Sequence, residues 1–407
     1  MIYQILQGQQ DLLLPARMFA RALYGPLRQL AGSRHALEPL LRRIGAAAEL
    51  FAHLQTTHER PAYGLSTTRM GDRVVAVREE AVLATPFGTL LRFSKDTAVE
   101  QPRLLVVAPM SGHFATLLRG TVEVLLPDQD VYITDWTNAR DVPISAGSFT
   151  LDDFVDHIIQ FMEAVGPGGH VLAVCQPAPA TLAAVALMAE ARNPATPRSA
   201  TLMAGPIDTR INPTRVNELA KSRPIEWFER RLIGTVPWRY RGAGRLVYPG
   251  ALQLAAFISM NVDRHQQAYR NYLRNLVNGE QEASAAHRRF YDEYFAVMDL
   301  PAEYYLQTVR TVFQEDALPL GRFVWRGRPV RLDAIRRTAL LAVEGEKDDI
   351  CSVGQTMAAL DLCRRLPISL KRYHLQTGVG HYGVFNGKRW GSEIYPHVRQ
   401  MIQAHSG

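Results

Sequence analysis

The chain reads as an α/β protein: a mostly parallel central sheet with helices on both faces, an inserted helical cap and a helical N-terminal extension. Three observations lead there. Short apolar runs such as "RLLVVAPM" (residues 103–110) are too continuous for strands with one wet face, and match strands of a parallel sheet covered on both sides. Helical stretches alternate with these runs, as parallel crossovers require. The alternation then stops between Thr209 and Asp333 and resumes at Thr338, so a different unit is inserted into the sheet domain.

From Asp11 to about Thr56, Leu and Ala recur at helical spacing, with Pro15 and Pro26 breaking the pattern. "RVVAVREEAVLATPFGTLLRFS" predicts an antiparallel strand pair, and "RLLVVAPM" the first parallel strand, followed by the helical "TLLRGTVEVLL". "DVYITDW" is the next strand. Leu151, Phe154, Val155, Ile158, Ile159, Met162 and Val165 then share one helical face, with Thr150 and Asp153 placed as a capping box. "GHVLAVC" is a strand, the Ala-rich segment after it a helix, and "SATLMAGPID" (residues 199–208) a further strand. The insertion is mostly helical and rich in aromatics. "TALLAVEGEKDD", a helix over 353–366, the strand "SLKRYHLQ" and a last helix from about Ser392 complete the sheet domain. The expected units are therefore 1–72 (extension), 73–208 (core, first part), 209–333 (cap) and 334–407 (core, second part).

Composition excludes several classes. With 47% hydrophobic and 21% charged residues over 407 positions the chain is globular, without a run long enough to span a bilayer or the pattern of a secretory signal, so a cytoplasmic protein is expected. The three cysteines, Cys175, Cys351 and Cys363, form no CxxC pair, so neither a disulfide framework nor a metal site is expected, and at least one thiol is free to react. The net charge of +7 is compatible with an anionic partner. Six arginines fall in "RFVWRGRPVRLDAIRR" (residues 322–337); this reads as a solvated face, with an anionic surface as its alternative, and no nucleic-acid motif accompanies it.

The chemistry centres on "AVCQPA". A nucleophile elbow places its reactive residue on a sharp turn between strand and helix, with small neighbours under the turn. Ala173-Val174-Cys175-Gln176-Pro177 is a degenerate match, with Pro177 tolerated in the first helical turn. A helix N-terminus beneath Cys175 favours a thiolate and a developing oxyanion. In an α/β-hydrolase an acid follows a late strand and a histidine follows the last one. Asp348 fills the first place, with Asp349 and Asp208 as alternatives, and His381 in "GVGHYGVFNG" the second. His113, His170 and His374 are rival bases. Oxyanion donors are expected from the backbone N–H of Gln176 and of Met110 or Ser111 in the loop after the first parallel strand. His113 in that loop, with Trp227 and Phe228 in the cap, are candidate substrate-binding residues.

With these pieces the sequence resembles the intracellular polyhydroxyalkanoate (poly-3-hydroxybutyrate) depolymerases of the α/β-hydrolase superfamily. The likeness runs through "APMSGHFATLLRGTV", "DWTNARDVP", "AVCQPAPA", "GPIDTRINPTRVNELA", "VEGEKDDI" and "GVGHYGVFNG". It implies Cys175 as nucleophile, His381 as base and Asp348 as acid. It also implies cleavage of polyester bonds through a thioester acyl-enzyme, with release of 3-hydroxybutyrate monomers or oligomers. The implied partner is the polymer granule, docked through the cap. No cofactor is implied, although coenzyme A is a possible acyl acceptor in place of water. Two alternatives stand beside this reading: an acyltransferase resembling polyhydroxyalkanoate synthase, and a catalytically silent granule-binding protein.

Overall fold

A computed structural model describes residues 2–31, 37–260 and 262–406. Nine strands form its main sheet: β1 (Thr67–Met70), β2 (Arg73–Ala84), β3 (Gly88–Lys95), β4 (Arg103–Val107), β5 (Asp130–Trp136), β6 (His170–Val174), β7 (Ser199–Met203), β8 (Ala339–Gly345) and β9 (Lys371–Gln376). Their spatial order is β1-β2-β3-β5-β4-β6-β7-β8-β9. The pairs from β1 to β5 through β3 are antiparallel, and every pair from β5 to β9 is parallel. The continuous apolar runs have their cause here: β6, β7 and β8 are buried along their whole length, and so is β4 from Leu104 on. Each such Val or Leu contributes about 1.5–3 kcal/mol by leaving water.

Two N-terminal helices, α1 (Ile2–Ala31) and α2 (Glu38–His53), pack on each other. Within the core follow α3 (Arg119–Leu125), α4 (Leu151–Val165) and α5 (Ala178–Glu190), with α4 and α5 packed together against β4, β6 and β7. The capping box at Thr150 is formed in both directions, with the Asp153 carboxylate accepting from the Thr150 N–H at 2.7 Å. The insertion holds α6 (Arg215–Ser222), α7 (Ile225–Leu232), α8 (Gly250–Met260), α9 (Val262–Asn278), α10 (Gln281–Phe295) and α11 (Ala302–Thr308). After it come α12 (Ala358–Leu362), α13 (His381–Phe385) and α14 (Tyr395–Ala404), which lies against β7 and β8.

Three expectations are corrected, and the cap, mostly helical as expected, adds a small sheet. The segment expected as a helical extension over 1–72 ends in β1, the edge strand of the sheet. Helix α1 runs through Pro15 and Pro26. An interior proline costs about 3 kcal/mol of helix stability, and the packing along α2 outweighs it. The cap contains a three-stranded sheet of Gly234–Thr235, Leu246–Tyr248 and Leu300–Pro301. The helix expected over 353–366 shrinks to α12, because the amides of Gly354, Thr356 and Met357 are taken by the buried carboxylate of Glu344 at 2.7–3.0 Å.

Candidate active site

Between β6 and α5 the backbone turns within three residues, and Cys175 adopts φ 65°, a region a side chain with a Cβ enters only under strain. Two contacts hold it there. Its N–H donates to the Met203 carbonyl at 2.7 Å, and its carbonyl accepts from the Ala178 N–H at 3.1 Å. Gly205 makes the turn possible: a Cβ there would stand 2.1 Å from the Ala178 Cβ and 3.0 Å from the Cys175 carbonyl oxygen. Of the three thiols Cys175 is partly exposed and the other two are buried. Burial pushes the Cys351 thiol well up and Cys363 up to about 12, which keeps both protonated and inert.

His381 begins α13, after the last strand, and Asp348 lies in the turn after β8. The His381 Nδ1–H donates to Asp348 Oδ2 at 2.8 Å, with both residues buried. The second carboxylate oxygen accepts from the N–H groups of Ile350 and Cys351, each at 2.9 Å. This fixes the carboxyl plane and leaves the other imidazole nitrogen to interact with Cys175. Burial alone drives His381 towards its neutral form. The charges of Asp348 and Cys175, with the hydrogen bonds to both, outweigh it and raise His381 well above the usual histidine range.

The loop after β4 brings Met110, Ser111 and Gly112 to the same end of the sheet. Gly112 has φ 88°, and its carbonyl accepts from the Met298 N–H at 2.8 Å, which ties the loop to the cap. Among the described residues the amides of Met110, Ser111 and Gln176 have no acceptor within the protein. The Gln176 side chain is positioned by Tyr304 from α11, whose hydroxyl donates to Oε1 at 2.8 Å. Tyr304 is fully buried, burial pushes its phenol up so that it stays a donor, and the charge of Cys175 acts on it. Tyr304 is one of the many aromatics of the insertion, and no local sequence signal marks this role.

Several candidates lie elsewhere. His113 is buried: its ring is bound by the backbone of Tyr294 and Ser111 and packs near Phe257 and Tyr294, and burial lowers it to about 4. It fastens the loop under the cap. Phe228 is also core, packed with Ala220 and Val309, and Trp227 lies edge-on against it. They support the back of α11, where Tyr305 sits. His170 is bonded to Ser199 at the far end of the sheet, and His374 stacks on His397. Asp208 is held by Arg210 at 2.7–2.8 Å, and Asp349 is exposed. Exposed apolar side chains gather elsewhere, at Leu12, Met18 and Phe19 of α1, where Asp11 pairs with Arg239 beside the exposed Trp238. Among the described residues no group of His, Cys, Asp or Glu could hold a metal ion.

A mostly parallel sheet with a strained elbow after a central strand, an acid after a late strand and a histidine after the last makes the protein an α/β-hydrolase. Residues 204–406, which include Asp348 and His381 and begin downstream of Cys175, match the family described as PHB de-polymerase C-terminus. By this match the chain belongs to the polyhydroxybutyrate depolymerase family. No curated protein sequence matches it. Solved structures similar to it include a membrane phospholipase A described as a bacterial virulence factor (14% identity, 94% of this chain and 98% of that one, TM-score 0.43). Others are 2-hydroxy-6-oxo-6-phenylhexa-2,4-dienoate hydrolase of a Rhodococcus strain (13%, 81% and 99%, 0.42) and a serine hydrolase of Cycloclasticus zankles (12%, 81% and 99%, 0.43). Among the described residues no helix is long and apolar enough to cross a membrane.

Proposed function

We propose that the protein is an intracellular poly(3-hydroxybutyrate) depolymerase that cleaves polyester bonds through a Cys175–His381–Asp348 triad. The observation that carries this reading is the pairing of a strained, partly exposed Cys175 with a histidine whose other nitrogen is locked to a fixed carboxylate. The Cys175 sulfur attacks an ester carbonyl, and the N–H groups of Gln176 and of Met110 or Ser111 donate to the oxyanion, each contributing about 3 kcal/mol. His381 holds the thiol proton and returns it to the leaving hydroxyl, leaving a thioester on Cys175. It then takes a proton from the acceptor, water or the thiol of coenzyme A, as that acceptor attacks the thioester and frees the enzyme. No cofactor is needed for these steps. The exposed apolar residues of α1 and Trp238, rather than Trp227 and Phe228, support contact with the surface of a polymer granule.

The test is incubation with amorphous polymer granules, with and without coenzyme A, followed by product identification. Wild type is expected to release 3-hydroxybutyrate species, or their coenzyme A thioesters if that thiol is the acceptor, and Cys175→Ala to release none. Equal release by the Cys175→Ala variant would remove the thioester mechanism.

A further inference from the structure

At the end of the sheet opposite Cys175, a cavity of about 1320 Å³ opens where β7 and β8 begin and where α5 and α14 end. Three separate stretches of chain bring arginines to it: Arg192 and Arg198 from the turn leading into β7, Arg331, Arg336 and Arg337 from the segment before β8, and Arg364 and Arg365 after α12. Every cation in the lining is arginine, and two carboxylates, Glu190 and Asp333, share it. Glu190 faces Arg328 at 3.9 Å. Among the described residues, none of these guanidiniums except that of Arg198 makes an ion pair or hydrogen bond within the protein. Arg326, in the same arginine-rich sequence, shows the contrast, since Asp153 and Asp156 hold it at 2.5–2.6 Å.

Seven like charges around one cavity repel one another. The carboxylates of Glu190 and Asp333 offset two of them, and the C-termini of α5 and α14, each about half a negative charge, offset about one more. The remainder is a positive field focused by a concave wall. A guanidinium presents a planar fork that pairs bidentately with phosphate oxygens, whereas an ammonium offers a point charge. The volume exceeds the roughly 300–1,000 Å³ of ordinary small-ligand sites, leaving room for several linked phosphates to meet all three arginine groups at once. The site is separate from the chemistry: Arg198 precedes β7 and Cys175 lies level with its end, about 20 Å away at the rise of a strand.

We propose that this cleft binds a ligand carrying linked phosphates, either a nucleotide or an inorganic polyphosphate. The test is calorimetric titration of the full chain at low salt with inorganic tripolyphosphate and, in a second arm, ATP. Saturable binding that weakens as salt is added is expected. ATP bound more tightly than tripolyphosphate assigns a nucleotide, and equal or weaker binding of ATP assigns the inorganic chain. Arg336→Gln with Arg337→Gln, and separately Arg364→Gln with Arg365→Gln, should each weaken binding at least about tenfold. These residues are exposed, so the variants should melt with wild type and keep its basal ester hydrolysis. Lysine at the same positions should restore only part of the affinity. The proposal is overturned by the absence of saturable binding, by glutamine variants within about twofold of wild type, by full recovery with lysine, or by equally tight binding of an acidic peptide of matched charge.

Discussion

Replacing Asp348 with asparagine separates the orienting carboxylate from every other feature of the site. The side chain keeps its shape, but only one of its terminal atoms can then accept. Two N–H groups, of Ile350 and Cys351, claim that oxygen at 2.9 Å each. The amide nitrogen is therefore turned towards His381, where a donor now faces Nδ1. Nδ1 must accept, so the imidazole proton moves to Nε2, the nitrogen that faces Cys175 and has to take its proton. A wrong tautomer of this kind costs a serine-protease triad about 10⁴-fold in kcat, or about 5.5 kcal/mol in the barrier. The expected result is a loss of that order in hydrolysis of a soluble 3-hydroxybutyrate oligomer, with the melting temperature within a few degrees of wild type. His381, followed by NMR, should titrate lower than in wild type, because Asp348 contributes to its raised value. Asp349→Asn should keep near-normal rates. Retention of a tenth or more of the activity by Asp348→Asn, or an equal loss in Asp349→Asn, would refute the assignment of the acid.

Tyr304→Phe removes the hydrogen bond to Gln176 and should lower kcat on the same oligomer by about tenfold with little change in KM, since the Gln176 amide is used only as charge develops; an unchanged kcat argues against a positioning role. Gly205→Ala drives a methyl into Ala178 and the Cys175 carbonyl, and should cost about 3 kcal/mol or more in a denaturant melt, with activity falling as the elbow shifts. Buried His113 and His170 are lowered to about 4, chiefly by burial, so they are neutral in the folded protein and take up protons on unfolding. Their stabilisation is complete above about 6.5 and is lost as pH falls towards 4, by up to about 3 kcal/mol each. Melting temperature plotted against pH over that window should fall less steeply for His170→Asn than for wild type, and parallel curves would refute the linkage.

How far the site is legible in the chain depends on the separation of the residues involved. Where one residue and its neighbours determine the outcome, sequence pattern suffices: the apolar runs became buried strands, and Thr150 with Asp153 became the capping box. Chain order also carries over, because parallel strands place every strand end that bears Cys175, Asp348 and His381 on one side of the sheet. Asp348 and Asp349 cannot be told apart in this way, since they share a turn and differ only in which one receives the amides of residues 350 and 351. Contacts between distant segments leave no local trace. Tyr304 and Gln176 are 128 residues apart, and an aromatic pair on a cap helix looks the same whether it packs a core or orients an elbow. That ambiguity is why Phe228 read as a docking residue and proved to be core. The arginine cleft shows the same limit in the other direction. Six arginines within residues 322–337 read as a solvated face because a charge run carries no sign of what lies opposite it; Arg326 pairs with α4, while Arg331, Arg336 and Arg337 become a cavity wall only when the turns at Arg192 and Arg364 close the other two sides.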